Sequence, residues 1–243
     1  MKHFCSVLLL SLSSILSAQP VIIETSLWPG FTNADGSGAY FDLARLVFPP
    51  DSHPLVIKTN HLGRAWLAVQ RAQADLTFGL TQADIRSFRL ESSTLPYDED
   101  TIIAVFLPER VHQTDLTPSR LKALQLGWEK SYNYGAALGI EVHGFEVQDP
   151  AHAIQLLKAG RIEVYLAESG DLDRVQPQLK AAGLQQQWLA YIPVYAGFSP
   201  TANGRQLKNY WDQRIHMLWQ TGEMQSFYQR HPALRPPTPE VKP

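Results

Sequence analysis

The stretch GLTQADIR, residues 79–86, follows an apolar run, ADLTF, and sets a glycine, a threonine and an arginine at what reads as the end of a buried strand. Arg86 has no acidic residue four positions away on either side. A guanidinium offers a planar pair of donors that matches the two oxygens of a carboxylate, and a hydrogen bond to a charged group contributes about 1.5–3 kcal/mol net. Two other strand ends carry chemistry of a complementary kind. Trp28 stands beside the Pro-Gly turn of LWPGF, where an indole face can cover a side chain or stack on a cation, and Glu168 follows RIEVYLA, where its carboxylate can accept from an ammonium. An aromatic face, a guanidinium fork and a carboxylate converging on one cleft suit an amino acid. Each residue also has a plainer reading. Arg86 can be solvated or pair with Asp84 or Glu91, and Arg89, three residues on, shares its helical face and is an alternative clamp. Trp28 can be a half-buried core residue. Glu168, just before Ser-Gly-Asp, can cap the next helix.

These residues need elements to hold them, and the chain alternates strand and helix. VIIETS reads as a strand, GAYFDLARLVF as a helix, PLVIKT as a strand, LGRAWLAVQRA as a helix and ADLTFGL as a third strand, a βαβαβ unit. The order recurs in LQLGW, a helix from about residue 133, GIEVHGFEV, a helix from Pro150, RIEVYLA, and a further helix over DLDRVQPQLKAAG. Asp149 as N-cap, Pro150 in the first turn and Gly160 past the last apolar residue bound one helix clearly, with Ile154 and Leu157 turned inward. Two α/β units in succession predict two lobes built on similar sheets. The long apolar stretches at 101–109 and 188–198 are the segments able to pass between them. Two helices, GRQLKNYWDQRIHMLWQTG and EMQSFYQRH, return before a proline-rich tail. In open α/β sheets ligands sit beyond the carboxyl ends of the strands, which is where the polar residues above are found.

Composition bounds the rest. The 243 residues are 44% hydrophobic and 18% charged, an ordinary globular balance, with net charge −2 and no basic run, which disfavours nucleic acid and anionic membrane surfaces as partners. The start, MKHFCSVLLLSLSSILSAQP, has a basic residue, a serine-interrupted apolar stretch and a small residue at Ala18. It reads as a secretory signal peptide, being shorter than the roughly 20 apolar residues a spanning helix requires. Cleavage removes the single cysteine, Cys5, and leaves a mature chain without disulfides.

The landmarks WPGF with GSGAYFDLARLVF, RAQADLTFGLTQADIR, LPY at 95–97, LKAGRIEVYLAE and QTGEMQSFYQRH, in that order, resemble the extracellular solute-binding proteins of bacterial amino-acid ABC transporters, the polar amino-acid branch. The resemblance implies the type II periplasmic-binding-protein fold: two lobes, each a mostly parallel sheet flanked by helices, joined by two hinge crossovers. On that plan residues 1–18 are the signal peptide, 19–104 and 194–232 form lobe 1, 105–193 form lobe 2, and 233–243 are a disordered tail. It also implies site roles. Gly79 and Thr81 bond the ligand carboxylate, Arg86 clamps it, Trp28 stacks on the ligand, Glu168 takes its ammonium, and Ser131 and Tyr132 in GWEKSYNYG touch the carboxylate from the second lobe. Three positions depart from the pattern: Ala83 replaces its second threonine, Glu168 its aspartate, and Ser131 a common glycine. A glutamate reaches about one methylene further, so the ligand must shift or differ. The resemblance further implies hinge closure on the ligand and docking of a monomer, in the periplasm, on a membrane permease.

Two other functions are compatible with this fold. An enzyme on the same fold would use Glu168 as a general acid or base, but the chain has no zinc spacing among its 8 histidines, no Gly-x-Ser-x-Gly turn and no phosphate loop. No catalytic residue, metal or cofactor is therefore assigned. A periplasmic sensing partner of a membrane receptor would use the same closure, and sequence does not separate it from transport.

Overall fold

The computed structural model describes residues 19–130 and 132–237. The expected signal segment at 1–18, Ser131 and the end of the tail at 238–243 lie outside the described residues. The first unit is β1 (Val21–Thr25), α1 (Ala39–Val47), β2 (Leu55–Thr59), α2 (Leu62–Gln70), β3 (Leu76–Leu80), α3 (Gln82–Phe88) and the two-residue β4 (Glu91–Ser92). A long strand, β5 (Asp98–Phe106), then leads into α4 (Pro118–Leu121), β6 (Gln125–Glu129), α5 (Tyr134–Leu138), β7 (His143–Val147), α6 (Pro150–Ala159), β8 (Val164–Glu168), α7 (Ser169–Asp173) and α8 (Gln176–Ala181). The 14-residue β9 (Gln185–Phe198) returns the chain to α9 (Ala202–Gln220) and α10 (Glu223–Arg230).

Strand order is β2-β1-β3-β9-β5-β8-β6-β7, with β4 also on β9. β1 is parallel to β2 and β3, and β6 is parallel to β7 and β8, so each half keeps the parallel core that alternating strands and helices require. The antiparallel strand β9 joins them. Its Tyr195–Phe198 end pairs with β3 and β4, while Gln185–Val194 pairs with β5. The chain thus crosses between halves twice, at the start of β5 and along β9. Among the described residues, no helix is long and apolar enough to cross a membrane.

Both faces of both halves are covered. α1, α9 and α10 pack Phe41, Trp211 and Phe227 on one face of the first half, and α2 and α3 pack Trp66 and Ile85 on the other. In the second half, Ile154, Leu157 and Leu179 cover one face, and Leu121 and Tyr134 the other. The α6 boundaries are as expected: Asp149 accepts from the His152 N–H at 2.7 Å, and Gly160 takes the left-handed conformation at φ 67°.

Two expectations need correction. The helix expected over 171–183 is two helices, because Pro177 cannot continue the ladder of α7 and instead sits in the first turn of α8. The start of the expected disordered tail is packed: Leu234 is 4% exposed within the first-half core, the Arg235 N–H donates to Asp98 Oδ1 at 2.8 Å, and its guanidinium lies 4.1 Å from the Tyr191 ring centroid.

Candidate functional site

The site begins with the loop after β1. Thr32, fully buried, accepts from the Trp28 N–H at 2.9 Å and donates to the Ser26 carbonyl at 2.7 Å, fixing where the indole stands. That indole lies on the end of β3. Gly79 has φ +76°, and a Cβ there would fall 2.5 Å from Trp28 Cη2, so only glycine permits both the backbone turn and the ring above it. The Gly79 N–H donates to the hydroxyl of the buried Tyr97 at 2.9 Å.

Thr81 caps α3. Its hydroxyl accepts from the Asp84 N–H at 3.3 Å, while the Thr81 N–H and hydroxyl donate to Asp84 Oδ2 at 2.9 and 2.6 Å, a reciprocal capping box. α3 buries Ala83, Asp84 and Ile85, and the next residue on the helix, Arg86, falls on its solvent side. Arg89 closes the helix in the left-handed conformation and is also exposed.

Glu168 ends β8 and precedes α7, but its side chain makes no cap hydrogen bond. It faces β5 instead. Ile102 is its pairing partner, so Asp100, two residues earlier on the same face of β5, is its diagonal neighbour, and the two carboxyls are hydrogen bonded to one another. Two carboxyls can do this only by sharing a proton. Burial is the main cause that raises both: the charge of Asp98 adds to it at Asp100, which stands at about 7 although its bond to Glu168 pulls it down, and the charge of Asp100 adds to it at Glu168, which is pushed well above the ordinary carboxylate range. Asp171, which ion-pairs with Arg174 at 3.2 Å, adds a further upward push on both. Asp98, 3% exposed, is satisfied by three donors: the Tyr40 hydroxyl at 2.9 Å and the backbone N–H groups of Glu99 and Arg235 at 2.9 and 2.8 Å.

Between the halves lies a cavity of about 490 Å³. Trp28, Phe31 and Tyr40 line it from the first half, Tyr132, Glu168, Asp171 and Arg174 from the second, Asp98 to Thr101 from the crossover, and Arg235 from the tail. A smaller adjoining recess is walled by Thr81, Asp84, Asp100, Tyr132, Tyr134 and Glu168. Tyr132 stacks on Tyr134, centroids 5.4 Å apart at 10°, and packs against the first-half cluster of Leu62, Trp66 and Ile85, bridging the lobes.

Of the expected site residues, Trp28, Gly79, Tyr132 and Glu168 meet at the main cavity and Thr81 at the recess. Arg86 lines neither, and nor does Arg89. The expected guanidinium clamp is thus absent from the cavity lining, because the short α3 turns Arg86 outward. The Gly79 and Thr81 donors expected for a ligand carboxylate already have acceptors within the protein. Two groups escaped the sequence reading. Asp98, Glu99 and Asp100 form an acidic run at the head of an apolar crossover, a signal visible in the residues themselves. Thr81-x-x-Asp84 is a capping-box pattern legible in the sequence.

No protein-family model matches the chain, and no curated protein matches its sequence. Solved structures match its fold. A histidine kinase sensor domain with similarity to periplasmic binding proteins superposes with a TM-score of 0.69 over 90% of this chain and 98% of its own, at 13% identity. The substrate-binding protein of an amino-acid ABC transporter gives 0.63 over 87% and 98%, at 17% identity. The arginine-, lysine-, histidine-binding protein ArtJ from Geobacillus stearothermophilus gives 0.65 over 90% and 97%, at 17% identity. The chain therefore has the two-lobed α/β fold of periplasmic binding proteins.

Proposed function

We propose that this chain is a periplasmic solute-binding protein, acting as a monomer, that captures a small amino-acid-like molecule by its amine between two lobes and delivers it to an ABC transporter permease. The lobes are residues 19–104 with 194–232, and 105–193. The observation that carries this reading is the interlobe cavity, where aromatic rings, Trp28 and Tyr132, stand beside the Asp100–Glu168 carboxyl pair. Rings cover an alkyl chain or face a cation, and carboxyls accept from an ammonium. The likeness to an amino-acid transporter's binding protein agrees with it. The test is a thermal-shift screen of the full chain against amino acids, amines and small organic acids, because a ligand that binds the native state raises the melting temperature. A flat response across all three classes overturns the reading.

A second reading has its own support in the sensor-domain likeness: the same closure reporting to a membrane receptor. Deleting the gene separates the two. Loss of solute uptake marks transport, and loss of a transcriptional response with uptake intact marks sensing.

A further inference from the structure

We infer that the solute taken by this cleft is an organic cation without a carboxylate, an alkylamine, diamine or guanidine, held by Asp100 and Glu168 under Trp28. This narrows the proposed function and rests on it.

The donor inventory is the first ground. A carboxylate at the end of β3 would need the Gly79 and Thr81 N–H groups and the Thr81 hydroxyl. The first donates to Tyr97, and the other two donate to the buried carboxylate of Asp84. Displacing it would leave a buried charge without its donors. Among the described residues, the arginines that line the cavity, Arg174 and Arg235, stand on the far side from β3, at α7 and the tail. Arg86 and Arg89 lie outside the cavity, Arg174 pairs with Asp171, and Arg235 rests on Tyr191.

The groups that remain point to the opposite charge. Asp100 and Glu168 meet from β5 and β8 and both line the cavity and the recess, so an ammonium or guanidinium placed there can satisfy both carboxyls. The ionisable groups around the pair are Asp98 from β5, Glu129 from β6, Asp171 and Arg174 from α7, Asp84 from α3, Tyr132 and Tyr134 before and in α5, and Arg235 from the tail. Most of these are acidic or neutral, so the surroundings favour an added cation. Among the described residues, no three His, Cys, Asp or Glu side chains are grouped to hold a metal ion, and the aromatic wall suits an organic chain.

The test is calorimetry of the full chain with pairs of solutes that differ only by the carboxylate: agmatine against arginine, putrescine against ornithine, cadaverine against lysine. The expected result is that, in at least one pair, the decarboxylated member binds tighter by about tenfold or more. Glu168→Gln and Asp100→Asn should each lower that affinity by about tenfold or more with the melting temperature retained, while Arg86→Ala changes it by less than about threefold. Tighter binding of the amino acid in every pair that binds, or binding only of organic acids, overturns this inference and leaves the solute-binding reading standing. Silence from amines, amino acids and organic acids alike overturns both.

Discussion

One oxygen of the Asp84 carboxylate receives both the backbone N–H and the hydroxyl of Thr81, at 2.9 and 2.6 Å, so the strand-end donors of this lobe are occupied by the protein's own acid. Removing that acid has two separable consequences. Asp84→Ala should destabilise the protein by about 0.5–2 kcal/mol, the ordinary cost of a lost cap, measurable by urea unfolding. It should also free the Thr81 donors, so affinity for carboxylate-bearing solutes rises relative to their decarboxylated partners. Equal loss of affinity for both members of a pair would show that Asp84 acts only on stability.

The Asp100–Glu168 pair makes stability and binding respond oppositely to pH. In the unfolded chain these carboxyls ionise at about 4, their ordinary value, whereas in the folded chain burial raises Asp100 to about 7 and pushes Glu168 well above its ordinary range. Between those limits the folded state holds the extra proton, so stability is greatest at the acid end and falls as pH climbs through neutrality. A cation that displaces the proton binds better as pH rises over the same range. Melting temperatures and titrations from about pH 5 to pH 8 should move in opposite directions, and Glu168→Gln should flatten both trends. Parallel trends would mean that the pair does not exchange its proton for the ligand.

Much of the fold was legible in the residues. Strand and helix alternation, the capped helix from Pro150 and the two long crossover strands follow from hydrophobic period and punctuation, which are local properties. The site was legible only in part. Trp28 and Glu168 stand where strand ends place them, but spacing alone could not say whether Arg86 faces a ligand or solvent. That depends on the rotation of a seven-residue helix, set by Ala83, Asp84 and Ile85 seeking the core. Nor could it reveal that Asp100 meets Glu168, since a contact 68 positions apart arises from the antiparallel register of β5 on β8.

Gly79 tests the geometry of the aromatic wall. Gly79→Ala places a methyl 2.5 Å from the Trp28 ring in a backbone conformation with φ +76°. The strain of a left-handed non-glycine residue costs on the order of 1 kcal/mol, and displacing the indole adds to it. The variant should melt lower and shift its tryptophan emission, and ligand affinity should fall because the ring no longer covers the cleft. An unchanged emission spectrum would mean that Trp28 does not lie on this strand end in solution.

The tail offers the last test, because its prolines conceal a structural role. Leu234 lies in the core of the first lobe with Phe227 and Trp211, and the next residue's N–H is one of the three donors that hold the buried Asp98 at the start of the crossover. Deleting a buried leucine side chain costs about 2–5 kcal/mol where the surroundings cannot collapse. Leu234→Ala should therefore lower the urea midpoint by the corresponding amount. Truncation after His231 should lower it further, because it also removes the Arg235 N–H from Asp98 and leaves a buried carboxylate short of one donor. A truncated chain as stable as the full one would show that residues beyond 231 contribute nothing to the lobe or its hinge.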